Sequence, residues 1–141
     1  MPLFHLIYVS TLHANIGDEQ IVSILHSSLK NNKTAGVTGM LLLSSSNVIQ
    51  VLEGKEEAVV DLFQRIVEDP RHYDITELIR EPIASRSFPE WSMGYRNLNL
   101  SPQAGNSTEN KLFPLSFDVR ELKANPGIAK TLLENFSLLN N

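Results

Sequence analysis

A glutamine inside an apolar segment is the first residue of this chain that suggests chemistry. Gln50 lies within Val48–Leu52, where every other residue is valine, isoleucine or leucine. A buried amide needs partners for its donors and its acceptor, because one unmet polar group costs about 1–3 kcal/mol. Gln50 therefore either fixes another part of the fold or contacts a ligand.

Further polar groups gather at the ends of two predicted helices. Asn31 and Asn32 follow the first helix. The second helix ends among cations and an acid: Arg65, Asp69, Arg71 and His72. Helix capping and compensation of the helix dipole explain each group singly. Together they also fit a flat ligand that pairs with amides and carries an anionic tail.

Other chemistries have little support in the sequence. Gly36-x-x-Gly39 lacks the third glycine of a dinucleotide-binding loop. The four histidines have no metal-ligand spacing. Because the chain has no cysteine, disulfides, thiolate catalysis and Cys-ligated zinc are excluded. We therefore expect no metal site.

Composition indicates one ordinary domain with a small appendage, since the chain has 141 residues and is 42% hydrophobic. A net charge of -4 and a pI near 5.5 argue against nucleic acid or an anionic membrane as partner. No apolar run approaches the ~20 residues that span a bilayer. The N-terminus lacks the features of a signal peptide. A cytoplasmic protein is predicted.

The elements that must position these residues begin with strands. Leu3–Ser10 alternates in a strand-like way and puts Tyr8 on the face shared by Phe4 and Ser10. Val37–Leu43 and Val48–Leu52 flank turn-forming residues and predict a β-hairpin. Its second arm is apolar on both faces and is therefore expected to be a central, covered strand.

Two helices are predicted from apolar periodicity. The first begins at Asp18 as N-cap, runs to about Lys30 and is closed by Asn31-Asn32-Lys33. The second runs from about Glu56 to Glu68, and Asp69-Pro70 ends it. Their apolar stripes contain Ile21, Ile24, Leu25, Leu29, Val59, Leu62, Phe63, Ile66 and Val67.

Thr76–Ile83 and Trp91–Asn97 are further strand candidates. The resulting order, βαββαββ, predicts an α+β, ferredoxin-like mixed sheet with two helices on one face. The domain is expected over residues 1–98.

Residues 99–141 are expected to form a linker and a helical cap. Val119–Lys123 and Ile128–Leu139 are its two helical pieces. The second is too short to be stable alone. We therefore expect its apolar stripe to pack on the uncovered face of the sheet; the stripe is Leu132, Leu133, Phe136 and Leu139.

The residues that suggest chemistry recur in an order typical of one family. They are Tyr8, Asn31-Asn32, Gln50 in Gln-x-x-Glu-Gly, Arg65-Ile66, Asp69-x-Arg71-His72 and Trp91-Ser92-Met93. Over about Leu3–Leu98 the chain resembles the BLUF family, the flavin-based blue-light sensors of bacteria. One departure is Val48, where members commonly carry phenylalanine.

This resemblance implies non-covalent FAD, with FMN or riboflavin as substitutes, between the two helices. Ile24 and Ile66 would then press on the ring faces. Asn31 would face the pyrimidine edge, and Asn32 would read N3–H and the C4 carbonyl. The ribityl-phosphate side would fall to Arg65 or Arg71, with Asp69 and His72 as polar neighbours.

By the same resemblance, Tyr8 and Gln50 form the photoactive pair. Tyr8 would supply an electron and a proton, and Gln50 would rearrange its hydrogen bonds. Trp91 and Met93 on strand five would transmit the signal. The implied protein is not an enzyme; it forms a homo-oligomer and signals to a downstream protein in trans, with neither nucleic acid nor membrane as partner.

Two alternatives stay open on this scaffold. One is an acylphosphatase-like enzyme, in which Arg65 or Arg71 binds phosphate and an asparagine orients water. The other is a light-independent ligand-binding regulatory module. A flavin spectrum separates the sensor from both.

Overall fold

The central strand of the sheet is β3, Asn47–Lys55, whose residues from Val48 to Gly54 are all buried. β1, Leu3–Leu12, pairs with one edge of it and β2, Thr38–Ser44, with the other, both antiparallel. The computed structural model describes residues 3–14, 16–44, 46–89, 94–97 and 119–140. The prediction of a hairpin with a covered second arm is confirmed.

In the described part of the chain the sheet has five strands in the order β4-β1-β3-β2-β5. β4 is His72–Ile83 and β5 is Gly94–Asn97. β5 runs parallel to β2, and the other neighbours are antiparallel. The predicted ferredoxin-like mixed sheet is therefore confirmed. Residues 91–93 of the predicted fifth strand lie outside the described residues.

β1 and β4 are both longer than predicted. β1 continues through Thr11 to Leu12, and β4 begins at His72 and not at Thr76. The two extensions pair with each other, Thr11 opposite Tyr73 and Leu12 opposite His72. Every residue of this edge strand is partly or fully exposed. Its start therefore lacks the apolar alternation from which strands are recognised.

Helix α1, Asp18–Ala35, does not end where the sequence predicts. The prediction that it stops near Lys30, with the asparagines beyond it, is wrong. The helix ends at Gly36, whose φ of 73° lies in the left-handed region. There the Val37 N–H donates to the Asn32 carbonyl at 2.9 Å and the Gly36 N–H to the Lys33 carbonyl at 3.3 Å. This is a Schellman closure.

The start of α1 also differs from the prediction. Gly17, and not Asp18, is the N-cap residue, and Asp18 is the first helical residue. The Gly17 N–H donates to Gln20 Oε1 at 2.9 Å. This is the glutamine half of a capping box, so the helix begins without a capping side chain at Gly17.

α2, Glu56–Val67, agrees with the prediction and packs on the face of the sheet that carries Tyr8. The cluster on this face is Phe4, Leu6, Tyr8, Val37, Leu52 and Val59, with Leu62, Phe63 and Ile66 partly buried against it. Ile21 of α1 packs with Leu43 and Val48. α1 and α2 thus cover one face.

The opposite face is covered by the tail helices α3, Val119–Ala124, and α4, Pro126–Asn140. Leu122, Ala129, Leu132 and Leu133 join the cluster of this face, whose strand and loop residues are Ile7, Val9, Met40, Leu42, Ile49, Val51 and Phe88. The predicted docking of Leu132 and Leu133 is confirmed. The side chains of Leu25, Leu29, Phe136 and Leu139 lie outside the described residues.

Leu133→Ala tests this docking. Leu133 is 2% exposed, so its truncation should lower the free energy of unfolding by about 2–5 kcal/mol through lost burial and a residual cavity. Urea unfolding measures the change. Thr131→Ala, at an exposed position of α4, is the control and should stay within about 0.5 kcal/mol of the parent chain. Equal effects of the two substitutions would contradict the packing of α4.

Candidate functional site

The pairing of β1 with β3 sets Tyr8 directly opposite Gln50. The Tyr8 hydroxyl donates a hydrogen bond to Gln50 Oε1. Both residues are buried, at 3% and 5% exposure. With its oxygen on the phenol, the amide of Gln50 keeps the Nε2 hydrogens as the groups that it can donate.

The other edge of β1 is irregular around Tyr8. The register with β4 shifts between Ile7 and Tyr8, and again between Val9 and Thr11. Such bulges bend a strand locally and re-aim its side chains. Tyr8 therefore has a regular partner strand on the Gln50 side and an irregular one on the other.

Tyr8 holds its proton firmly. Burial raises the pKa of its phenol well above the usual value, and the nearby Asp69 carboxylate raises it further. Its ring lies 5.3 Å from that of Phe63, centroid to centroid. Tyr8 is thus a neutral, packed hydrogen-bond donor at physiological pH.

A cavity of about 250 Å³ opens between the sheet, α1 and α2. This is near the lower end of the ~300–1,000 Å³ typical of small-molecule sites. All ten predicted cofactor-binding residues line it: Tyr8, Ile24, Asn31, Asn32, Gln50, Arg65, Ile66, Asp69, Arg71 and His72. Trp91 and Met93 lie outside the described residues.

The corrected end of α1 explains how an amide reaches this cavity. Asn32 is 1% exposed although it lies in the last turns of a helix. Its backbone carbonyl accepts the Val37 N–H of the helix closure. This hydrogen bond fixes the backbone position of Asn32. Asn31, the preceding residue, is exposed. Ile24 on α1 and Ile66 on α2 are partly buried and supply apolar walls.

His72 joins the end of α2 to the sheet. Its Nε2 lies 2.7 Å from the Ile66 carbonyl, and its Nδ1 lies 2.9 Å from Ser10 Oγ. Because a carbonyl can only accept, Nε2 carries a hydrogen. In a neutral ring Nδ1 then accepts from the serine hydroxyl. The imidazole therefore holds the Ile66 wall against β1.

The two arginines of the cavity differ in their surroundings. Arg71 Nε donates to both carboxylate oxygens of Asp69, at 2.8 and 3.1 Å. This hydrogen bonding lowers the pKa of Asp69. Arg65 makes no ion pair within the residues that the structure describes. Arg65 is therefore the cation whose charge is less compensated by the protein.

Sequence reasoning missed several lining residues. They include Ser10, Leu12, Leu41 and Leu43. Period-two alternation could have found Ser10 and Leu12, which share the face of Tyr8. Leu41 and Leu43 lie opposite Gln50 and Val48 in the hairpin, so their placement depends on the hairpin register.

The donor set fits a flat aromatic ligand with a polar edge, as the isoalloxazine ring of a flavin has. Side-chain amides offer a donor and an acceptor together, and isoleucines flank the space. Within the described ranges, no group of three or more acidic or histidine side chains is placed to hold a metal ion. No helix in the same ranges is long and apolar enough to cross a membrane.

Comparison with known proteins gives consistent matches. The family model described as BLUF, sensors of blue-light using FAD, matches residues 3–94. The blue light- and temperature-regulated antirepressor BluF of Escherichia coli K12 is 36% identical over 110 residues, which are 74% of this chain and 27% of that protein. Subunit beta of the photoactivated adenylate cyclase of Euglena gracilis is 34% identical over 89 residues, 62% of this chain and 10% of that one. The chain thus spans a minor part of both.

Two solved structures agree with the fold. The dark-state structure of BlrB, a BLUF protein, has a TM-score of 0.69 and 31% identity, and the match covers 93% of this chain and 98% of that one. The structure of the BLUF domain of BlrP1 has a TM-score of 0.68 and 36% identity, with 79% and 75% covered. With a family match over most of its length and a cavity that fits a flavin, this chain belongs to the BLUF family of blue-light sensors that use FAD.

Proposed function

We propose that Tyr8 and Gln50 are the photoactive pair of this blue-light sensor. The observation that carries the proposal is the buried hydrogen bond from the Tyr8 hydroxyl to Gln50 Oε1 at the wall of the cavity. This bond joins an oxidisable phenol to an amide whose oxygen and nitrogen can exchange places with almost no change in shape. An acylphosphatase-like enzyme or a light-independent module is not favoured, since neither accounts for this pair.

We assign the flavin contacts from the lining of the cavity. Ile24 and Ile66 flank the ring, and Asn31 and Asn32 pair with its polar edge. Arg65 is the better candidate to bind the phosphate of the flavin's ribityl chain, because the charge of Arg71 is already compensated by Asp69. Asp69 and His72 are polar neighbours, and His72 holds the Ile66 wall.

The chain's own residues carry out the switch. When bound, flavin supplies absorption of blue light and an excited state that can take an electron from a nearby phenol. Tyr8 keeps its proton in the dark because its pKa is raised by burial. An oxidised phenol is a strong acid, so Tyr8 would pass its proton to Gln50 Oε1 while Gln50 releases a hydrogen from Nε2. Return of the electron and of one proton to Tyr8 would leave both residues neutral. Gln50 would then keep a rotated or tautomeric arrangement that offers a different set of donors to the cavity.

The architecture and the relatives support a proposal for the output of the sensor. We propose that residues 1–98 sense light and that residues 99–141, a linker and helical cap, carry the signal with Trp91 and Met93. The E. coli relative is an antirepressor and the Euglena relative a cyclase subunit. For this chain we propose signalling in trans to a protein partner, as a cytoplasmic homo-oligomer without catalytic turnover of its own.

Illumination of the purified protein tests the proposal. We expect a flavin spectrum in the dark and a reversible red shift under blue light. A pull-down from cell extract, compared in darkness and under blue light, tests signalling in trans. A colourless protein, or a yellow one without any shift, would contradict the sensor mechanism.

The flavin should be bound non-covalently, because the chain has no cysteine to form an adduct. Acid denaturation is therefore expected to release all flavin into the supernatant, measured by absorbance after centrifugation. The denatured and redissolved pellet should be colourless. Flavin that stays with the precipitated chain would contradict this.

A further inference from the structure

Glu53 is a fully buried carboxylate on the central strand, with 0% exposure. Its Oε1 accepts hydrogen bonds from the Phe88 N–H at 2.9 Å and the Thr38 hydroxyl at 3.2 Å. Its Oε2 accepts from the Ser87 N–H at 2.8 Å. A buried charge is costly unless it is hydrogen-bonded, and here three donors meet it. The carboxylate thus holds two consecutive backbone amides of the segment that follows β4.

Arg86 binds the same place from the other side. Its Nη1 donates to Thr38 Oγ1 at 2.8 Å and to the Glu53 carbonyl at 3.0 Å. Its Nη2 donates to the Gly36 carbonyl at 2.9 Å. One guanidinium therefore joins the end of α1, the start of β2 and the end of β3. We call Gly36, Thr38, Glu53 and Arg86–Phe88 the junction.

The junction is tightly packed as well as hydrogen-bonded. A Cβ added at Gly54 would lie 3.0 Å from the Gly36 carbonyl oxygen. The end of α1 therefore sits directly on the end of β3. Phe88 is 2% exposed and packs with Met40 and Val51 in the cluster that the tail helices cover. A displacement of β3 or of the end of α1 must act on residues 86–88.

Two cavity residues lie next to the junction in the chain. Gln50 is three residues before Glu53 on β3, and Asn32 is four residues before Gly36 at the end of α1. On the far side, Phe88 is followed by the segment that leads to β5, Gly94–Asn97. The junction is thus connected to both walls of the cavity and to the strand beside β2.

We propose that Glu53 and Arg86 are positioning residues that couple the arrangement of Gln50 to β5. The inference rests on the proposed Gln50 switch. Glu53 holds residues 87 and 88 in one position relative to β3, so a change at Gln50 favours one position of β5 over another. Without the carboxylate, the switch operates and β5 does not follow.

The test is Glu53→Gln in the flavin-loaded full chain. The amide keeps the size of the side chain but turns an NH₂ group toward a backbone N–H. We expect a red shift of the parent size, exchange of the Ser87 and Phe88 amide hydrogens at least ~10-fold faster in the dark, and at least ~3-fold loss of the light-minus-dark exchange difference over residues 94–97. An exchange rate that is about tenfold faster corresponds to a local opening equilibrium constant that is about tenfold larger.

Thr38→Val is the matched control, because it removes one hydroxyl from the junction and leaves the carboxylate on both amides. This control should keep most of the light-minus-dark exchange difference over residues 94–97. If Glu53→Gln does not fold, Arg86→Lys replaces it: the lysine keeps the charge but loses the guanidinium fork, so the same loss is expected. Three results would overturn the inference. The light-minus-dark exchange difference over residues 94–97 could keep its parent size in the folded variant, or Thr38→Val could lose as much of it as Glu53→Gln. The parent chain could also show no such difference. Absence of a red shift in the parent would instead refute the Gln50 switch.

Discussion

Tyr8→Phe is expected to bind flavin and stay yellow, yet form no lasting red-shifted state under blue light. The substitution keeps the ring, which packs beside Phe63 on the face covered by α2. It removes the hydroxyl that donates to Gln50 Oε1. Losing the partner of a buried acceptor costs about 1–3 kcal/mol of stability. A phenylalanine is also much harder to oxidise and has no proton to give.

Absorbance under steady blue illumination measures this outcome. Tyr73→Phe is the matched control, since Tyr73 is 49% exposed and its ring centroid lies 4.8 Å from that of His13, away from Gln50 in the sequence and without a contact to it. This variant should show the same red shift as the parent chain. Trp91 can also lose an electron, but the variant has no phenol proton to pass to Gln50, so the electron should return to the indole without a lasting change. A stable shift of parent size in Tyr8→Phe would mean that Tyr8 only packs.

Gln50→Leu is expected to keep the flavin and lose the red shift altogether. Leucine suits this position, because it is close to glutamine in size and residue 50 is buried on β3 opposite Leu41. Most residues of the cavity wall remain in place. The switch, however, needs an amide whose oxygen and nitrogen can exchange roles, and leucine has neither.

Gln64→Leu is the control, because Gln64 is an exposed residue of α2. It should bind flavin and shift normally. The pair can then be examined as a unit: Tyr8→Phe with Gln50→Leu should lose no more photochemistry than either alone, because both remove the same bond. A full, long-lived shift in Gln50→Leu would contradict the rearrangement of the amide.

Much of this protein follows from local patterns in the sequence. Alternation puts Tyr8 and Ser10 on one face of β1, and helical spacing puts Ile66 on the buried side of α2. An apolar segment with one glutamine indicates a covered strand whose buried amide must bind another part of the fold or a ligand. These features depend on residues a few positions apart, so the order of elements could be predicted before any contact was known. The set of candidate site residues was predicted from the resemblance to the BLUF family and not from local patterns alone.

Contacts between distant segments were decided only by the tertiary structure. Local sequence predicts that the asparagines end α1, but the helix continues to Ala35, and Gly36 supplies the left-handed residue that closes it. No periodicity reveals that Glu53 binds the amides of Ser87 and Phe88. Such a partnership depends on which strand ends meet and in which register, and this is set by packing of the whole sheet and not by neighbouring residues.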